Sequence, residues 1–217
     1  MDEFFQQRMA MVSYQIERRG VHDERVLSAM RSVLRHEFVP PEMRIHAYED
    51  CPLPIGLGQT ISQPYIVALM TELLRLKGTE NVLEIGTGSG YQAAVLSALA
   101  NRVHTIERHS ELAERAKKKL SDLGYLNVSV QCADGTMGYP KAAPYESILV
   151  TAAAPEAPQP LLDQLAEGGR LVIPVGQWGM QMLQVWTKVE GKFESTEVIP
   201  VLFVPLRGEF GWKEGTE

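Results

Sequence analysis

The stretch NVLEIGTGSGY, residues 81–91, joins an apolar run to a series of glycines that could hold a nucleotide-like ligand. Gly86, Gly88 and Gly90 follow at two-residue spacing and lead into the helical run YQAAVLSALA. Glycines let a ligand lie against the backbone, and the free N–H groups of a first helical turn favour a polar or anionic group. A glycine turn can also serve only to make a tight strand-to-helix connection, so by itself it leaves the ligand open.

Two acidic residues follow the next two predicted strands. Glu107 ends the run VHTIE about 20 residues after Gly86, where a doubly wound fold places the acid that accepts hydrogen bonds from ribose hydroxyls. Asp134, followed by Gly135, comes after the run NVSVQ. Its carboxylate could accept a hydrogen bond from an adenine amino group, although an Asp-Gly pair is also an ordinary turn.

Glu84 lies inside the apolar strand, where an ionised carboxylate is costly unless it is hydrogen-bonded. We expect it to brace the glycine turn or to contact the amino group of the cofactor. The dinucleotide fingerprint needs a small residue three places after its second glycine, and Tyr91 occupies that place. The acid before the glycines and the G-x-G-x-G spacing instead resemble the first motif of S-adenosylmethionine-dependent methyltransferases.

The elements that must position these residues alternate as strand and helix from residue 81 to residue 176. This alternation predicts right-handed βαβ units and an α/β fold with a doubly wound, mostly parallel sheet. A helix is predicted at 158–169, and a C-terminal antiparallel hairpin with its turn near Glu190-Gly191 follows. Ligands of such sheets bind beyond the carboxyl ends of the strands, so the residues just after each strand matter most. They are Gly86 to Gly90, Glu107, Asp134-Gly135 and Thr151 to Ala154.

The sequence pattern of the N-terminal part predicts two helices. Apolar residues recur at helical spacing from residue 4 to 16, and Asp23 is expected to cap the second helix. Residues 48–63 are rich in Pro and Gly, and their apolar content makes this loop a candidate substrate-side wall. Ser62 is a plausible N-cap of the helix that follows, which we expect to end at Lys77-Gly78.

We interpret residues 1–217 as a single domain with three parts. These are N-terminal helices with a substrate-side loop at 1–63, a cofactor-binding βα core at 64–176, and C-terminal strands with a substrate-side tail at 177–217.

The composition suits one sizeable core, because 45% of the 217 residues are hydrophobic. The formal net charge of −6 disfavours nucleic acid and anionic membranes as partners. Cys51 and Cys132 fit no metal-ligand spacing, so we expect buried free thiols and no metal. Since no apolar run reaches the ~20 residues of a membrane span, we expect a cytoplasmic monomer with no membrane partner.

Several motifs together resemble the protein-L-isoaspartate O-methyltransferase family. They are VLEIGTGSGYQ, VHTIER, ADG, ILVTAAAPEAP, GGRLVIPVG and the upstream GQTISQP. The resemblance implies transfer of a methyl group from S-adenosylmethionine, leaving S-adenosyl-L-homocysteine, to the free α-carboxylate of L-isoaspartyl residues in damaged proteins and peptides. The resulting ester closes to a succinimide that reopens partly as normal aspartate.

The same resemblance implies roles for individual residues. Ser62 takes the position of the family's proposed active-site serine. The implied cofactor contacts are Gly86, Gly88, Glu107, Asp134 and Gly135. With Glu84, which was considered above, they make a set of six expected cofactor residues. The implied substrate contacts are Thr60, Ile61, Gln63, Tyr65 and, from the segment FVPL, Val204 and Pro205.

Two other functions stay open at this point. One is a methyltransferase acting on a small molecule or on nucleic acid, but this chain has TAAAP where nucleic-acid amino-methyltransferases carry an Asn/Asp-Pro-Pro-aromatic motif. Cytosine-C5 enzymes need a Pro-Cys pair, and the order at Cys51-Pro52 is reversed. The other is a non-catalytic module that binds an adenosyl ligand, which would have no need of a loop like that around Ser62.

Overall fold

A computed structural model describes residues 3–177, 179–213 and 215. Its strands are β1 (Leu53–Gly56), β2 (Gln59–Ile61), β3 (Asn81–Ile85), β4 (Arg102–Glu107), β5 (Val128–Cys132), β6 (Tyr145–Val150), β7 (Leu165–Gln177), β8 (Met180–Val189) and β9 (Lys192–Val201). Its α-helices are α1 (Phe5–Ala10), α2 (Glu24–Ser32), α3 (Pro64–Leu73), α4 (Tyr91–Ser97), α5 (Ser110–Asp122) and α6 (Gln159–Asp163).

Seven of these strands form the central sheet, in the order β5-β4-β3-β6-β7-β8-β9. Pairing is parallel from β5 to β7 and antiparallel from β7 to β9. The chain builds outward from β3 to β5 on one side and then crosses to β6 and β7 on the other. The strand order therefore reverses between β3 and β6, and the predicted doubly wound sheet with its C-terminal hairpin is confirmed.

The apolar residues of β3 are buried because elements pack on both faces of the sheet. Val82, Leu83 and Ile85 are almost completely inaccessible to solvent. A larger apolar cluster contains the buried faces of the N-terminal helices and α4, and a second cluster includes Ile148, Leu161 and residues of β7. The sheet thus rests between two apolar layers, as expected for parallel strands.

The first predicted helix is confirmed, but its pitch changes along its length. After α1 the chain continues as a π-helix (Met11–Ile16) and a 3₁₀-helix (Glu17–Arg19). A π-helical turn contains an extra residue, so the buried stripe shifts. Arg8 and Met11 are buried, whereas Phe5 and Met9, expected in the core, are partly exposed. In α2 the predicted cap is present, since Asp23 accepts a hydrogen bond from the Arg25 N–H at 2.9 Å.

Two predicted helices are shorter than their sequence patterns indicate. α3 ends at Leu73 rather than at Lys77-Gly78, and the Glu80 carboxylate accepts hydrogen bonds from the N–H groups of residues 77–79 instead. The helix predicted at 158–169 ends at Asp163. Leu165 already pairs with Tyr145, so sheet pairing overrides the local helical pattern there.

The long loop predicted at 48–63 contains a small antiparallel hairpin, β1–β2, in which Leu53 pairs with Ile61. Both cysteines are free, as expected. The expectation that they are buried was wrong, because Cys51 is partly exposed and Cys132 is exposed at the end of β5, an edge strand. Among the helices of the described residues, none has the length and apolar character needed to cross a membrane.

Candidate functional site

The glycine turn crosses the carboxyl end of β3. Gly86, Gly88 and Gly90 have φ of 97°, 53° and 88°, values that residues with a Cβ atom rarely adopt. A Cβ atom on Gly86 would lie 2.4 Å from Oγ1 of Thr151, the first residue after β6. Thr151 also donates a hydrogen bond to the Gly86 carbonyl at 2.7 Å. The turn is therefore packed directly against the neighbouring strand at the point where the strand order reverses.

Glu107 lies at the end of β4 and holds the glycine turn from the other side. Its Oε2 accepts a hydrogen bond from the Gly88 N–H at 2.9 Å, and its Oε1 accepts one from the His109 N–H at 3.0 Å. The side chain is nearly buried. Each carboxylate oxygen has two lone pairs, so both retain acceptor capacity for a ligand hydroxyl.

Glu84 is fully buried beneath the turn. Its Oε2 accepts a hydrogen bond from the Thr105 hydroxyl, whose oxygen lies 2.6 Å from Oγ1 of Thr87 in the turn. Burial raises the pKa of Glu84 to about 8; the Thr105 hydrogen bond acts against this rise, and the neighbouring Glu107 adds to it. A cavity lies above the carboxyl ends of β3, β4 and β6, and Glu84 is not among the described residues that line it. The position of Glu84 therefore favours bracing of the turn over contact with a cofactor.

Asp134 binds the C-terminal segment of the chain. Its carboxylate accepts hydrogen bonds from the N–H and hydroxyl of Thr136 at 2.9 and 2.7 Å and from the Glu209 N–H at 2.8 Å. Partial burial raises the pKa of Asp134, but these donors outweigh it and hold the pKa below its usual range. A Cβ atom on Gly208 would lie 2.1 Å from Oδ1 of Asp134. The carboxylate is thus largely occupied within the protein.

A cavity of about 390 Å³ lies above the carboxyl ends of β3, β4 and β6, within the size range of small-ligand sites. Of the expected cofactor residues, it is lined by Gly86, Gly88, Glu107 and Gly135. Glu84 and Asp134 lie outside its lining. The tail contributes Arg207 and Gly215. The structure therefore brings four of the six expected residues together around one cavity.

A larger cavity of about 930 Å³ adjoins the first. It is lined by Thr60, Ser62, Gln63, Tyr65 and Val204, five of the residues expected around the substrate. Ile61 is instead buried in the core. Successive side chains of strand β2 point to opposite faces, so Ile61 faces the core while its neighbour Thr60 is exposed. Pro205 lines the smaller cavity. Thr60, Thr151 and Val204 line both cavities, which therefore meet at these residues.

The capping interpretation of Ser62 was wrong. The N-cap of α3 is Gln63, and no side chain caps this helix. Within the described part of the chain, the Ser62 hydroxyl makes no hydrogen bond, and it lines the larger cavity. Pro64 stands in the first turn, as predicted. The hydroxyl is thus available to a ligand.

Sequence reasoning placed Thr151 near a ligand but missed a charged residue of the site. Thr151 lies directly after a predicted strand, where a ligand is expected, and it lines both cavities. Arg19 lines the larger cavity and lies over the ring of Tyr65, with 3.6 Å between Cζ and the ring centroid. Nothing in the local sequence indicates this contact, because the two positions are 46 residues apart along the chain, 65 minus 19.

The strand order, together with the glycine turn and Glu107 at its reversal point, defines the class of the protein as an S-adenosylmethionine-dependent methyltransferase. A family model described as Protein-L-isoaspartate(D-aspartate) O-methyltransferase matches residues 6–211. The chain belongs to this family. The family, the fold and the enzyme class expected from the sequence are therefore confirmed.

Individual relatives agree with this assignment. The chain is 56% identical over 207 residues to a protein-L-isoaspartate O-methyltransferase of Methanoculleus marisnigri, covering 95% of this chain and 94% of the relative. It is 56% identical over 214 residues to protein-L-isoaspartate O-methyltransferase 1 of Syntrophobacter fumaroxidans, covering 98% of this chain and all of the relative.

Two solved structures are similar over most of the chain. A protein-L-isoaspartate O-methyltransferase superposes with a TM-score of 0.84 at 30% identity, covering 95% of this chain and 67% of the other. A Plasmodium falciparum protein described as a putative protein-L-isoaspartate O-methyltransferase, in complex with S-adenosyl-L-homocysteine, superposes with a TM-score of 0.80 at 26% identity, covering 92% of this chain and 98% of the other.

The buried carboxyl of Glu84 should make stability depend on pH. Its pKa is about 8 in the folded protein against an ordinary value of 4.5, so the fold favours the neutral form. This stabilisation is complete below pH 4.5, is lost as the pH rises toward about 8, and changes no further above that. Glu84→Gln is neutral at every pH, so it should gain stability relative to wild type by up to about 1.4 kcal/mol per pH unit across this window. Urea unfolding of both proteins at one-unit pH steps measures the difference, and parallel pH curves would contradict the expectation.

Proposed function

We propose that the chain transfers the methyl group of S-adenosylmethionine to the free α-carboxylate of L-isoaspartyl residues in damaged proteins and peptides, which initiates their repair through a succinimide. The observation that carries this proposal is the junction of the two cavities at Thr60, Thr151 and Val204. A ligand in the smaller cavity can face a peptide in the larger one across these residues. Membership of the family supplies the substrate class.

We assign the cofactor to the smaller cavity. S-adenosylmethionine supplies a methyl group on a positively charged sulfur. We assign the ribose hydroxyls to Glu107, which lines the cavity and whose two carboxylate oxygens keep acceptor capacity. Gly86, Gly88 and Gly135 line this cavity, so the cofactor would lie against the main chain there. Asp134 acts in this proposal by fixing the loop that carries Gly135, since protein donors occupy its carboxylate.

We assign the orientation of the acceptor carboxylate to Ser62. A carboxylate with an ordinary pKa near ~4 is ionised at neutral pH, so no residue has to remove a proton before it attacks. The chain has only to align the carboxylate oxygen with the methyl group and exclude water. A neutral hydroxyl can donate one hydrogen bond for this purpose. A cation in its place would hold the charge more strongly in the ground state than in the transition state.

The substrate backbone, in this proposal, lies along the wall of the larger cavity. Thr60, Gln63 and Tyr65 provide one side and Val204, in the C-terminal segment, provides the other. Ile61 supports this wall from the core, since its side chain is buried. Pro205 closes the wall on the side of the smaller cavity.

Two further properties stay predictions of the sequence. The acidic composition, with a formal net charge of −6, disfavours nucleic acid and anionic membranes as partners. A monomer located in the cytoplasm is the state we infer for a chain of this composition, and sedimentation equilibrium of the purified protein tests the monomer.

Glu107→Ala should weaken binding of S-adenosylmethionine about tenfold or more. Hydrogen bonds to a charged acceptor contribute about 1.5 to 3 kcal/mol, and the glycine turn also loses its partner for the Gly88 N–H. Calorimetric titration of the folded variant measures the dissociation constant. Glu111→Ala, an exposed position in α5, serves as the matched control and should bind like wild type. An unchanged dissociation constant for Glu107→Ala would remove the ribose assignment.

Ser62→Ala should lower kcat with little change in melting temperature. The hydroxyl caps no helix, so its loss costs little stability, but it removes the donor proposed to orient the carboxylate. Initial rates at saturating cofactor and peptide, with a thermal melt of the same sample, separate the two effects. Ser28→Ala on the exposed face of α2 is the control. A variant that turns over at the wild-type rate would show that Ser62 does not act on the substrate.

The enzyme should discriminate strongly between isoaspartyl and ordinary aspartyl peptides. An isoaspartyl linkage lengthens the main chain by one methylene and leaves the free carboxylate directly on the α-carbon. If the cavity wall holds that backbone extended, an ordinary aspartyl carboxylate misses the in-line position by about one bond length, and a misplacement of ~1 Å can cost roughly a hundredfold in rate. Methyl ester formation on two peptides identical except for this linkage measures the ratio. Comparable kcat/KM values would indicate a general carboxyl methyltransferase.

A further inference from the structure

A polar cluster at the edge of the larger cavity holds one arginine in a fixed position. The Arg19 guanidinium stacks on the Tyr65 ring, with Cζ 3.6 Å from the ring centroid. Its Nη1 donates to Oδ2 of Asp50 at 2.5 Å. The same carboxylate accepts a hydrogen bond from Nε2 of Gln63 at 2.8 Å and one from the Tyr65 N–H at 3.4 Å. Stacking and ion pairing together restrain a side chain that would otherwise be mobile.

Arg19 is the single charged residue among the described residues that line this cavity. The rest of the lining is apolar or uncharged, including Ser62, Gln63 and Tyr65. The side chain remains 44% exposed, so its donors are accessible. A guanidinium carries five N–H donors, and the hydrogen bond from Arg19 to Asp50 involves one nitrogen. The cluster therefore offers a substrate several charge-assisted donors in a planar arrangement.

We propose that Arg19 is a specificity-determining residue that binds a second carboxylate of the substrate. This carboxylate belongs either to an acidic side chain near the isoaspartyl residue or to the C-terminus of a short peptide. The inference rests on the proposed function, because it assumes that the larger cavity holds the isoaspartyl peptide. It adds a preference for acidic surroundings to that activity.

The reacting carboxylate is a different group from the one that Arg19 binds. The reacting group is assigned to the neutral Ser62 hydroxyl, because a cation would hold its charge more strongly in the ground state than in the transition state. Arg19 is not among the residues at which the cavities meet, Thr60, Thr151 and Val204. The Asp50 carboxylate offsets part of the charge of Arg19, and solvent screens the rest. The preference is consequently modest, about threefold to tenfold in kcat/KM.

The first experiment compares peptides with the wild-type enzyme. One isoaspartyl peptide series carries Glu or Gln at single positions on either side of the isoaspartyl residue, and a second series ends in a free carboxylate or an amide. We expect a lower KM, with kcat little changed, for the acidic member of at least one series, and a ratio that declines as salt is added. The series that responds identifies the source of the carboxylate. Equal kcat/KM within both series would overturn the proposal without the use of any variant.

The second experiment uses variants of adjacent arginines. Arg19→Gln should reduce the acidic-to-neutral ratio of kcat/KM toward one, whatever its rate on neutral peptides, and Arg19→Lys should keep part of the ratio. Arg18→Gln is the matched control, because Arg18 lies over the ring of Tyr14 at 4.4 Å and is not part of the described cavity lining. A uniform loss of kcat on all peptides in Arg19→Gln would contradict the specificity role. Failure of the proposed function is seen separately, as absence of methyl ester on the neutral isoaspartyl peptide with wild-type enzyme.

Discussion

The hydrogen bond from the Gly88 N–H to Glu107 is the interaction on which the rest of the site depends. It joins the loop after β3 to the end of β4, and the second oxygen of the same carboxylate receives the N–H of His109 before α5. One nearly buried side chain thus fixes the start of two helical connections. Because both are backbone donors, this carboxylate constrains the main chain of the turn itself.

The C-terminal segment after β9 contributes to the site because backbone hydrogen bonds attach it to loops that follow other strands of the sheet. The Ala153 N–H donates to the Val204 carbonyl at 2.8 Å, and the Leu206 N–H donates to Ala153 at 2.7 Å. Farther along the segment, the Glu209 N–H donates a hydrogen bond to the Asp134 carboxylate. These bonds attach the segment to loops after β5 and β6, and residues of this one segment line both cavities.

Burial of Glu84, the acid that precedes the glycine turn, costs free energy when its carboxyl is ionised. Burial places Glu84 in surroundings that favour its neutral form, and only one of its oxygens has a hydrogen-bond partner among the described residues. Its link through Thr105 to Thr87 reaches the turn from below. The arrangement is consistent with a residue retained to support the turn, since an apolar residue would fill the same strand position at lower cost.

The sequence by itself determined the doubly wound sheet, because apolar strands alternate with helical runs and that alternation permits few topologies. It also identified Gly86, Gly88 and Glu107, since residues at the carboxyl ends of parallel strands must meet at one edge. Motif order identified the family. These features are local in sequence or follow from general rules of chain topology.

Only the tertiary structure decided which of the expected residues face a ligand. Ile61 turned into the core, Asp134 bound the tail, and Ser62 proved free of the capping role that its position before Pro64 suggested. Helix ends at residues 73 and 163 were set by Glu80 and by pairing with β6, which lie outside the helical patterns. Arg19 joined the site through contacts with Asp50 and Tyr65, distant in sequence. Such contacts depend on how separate elements pack, and local residue patterns carry no record of that packing.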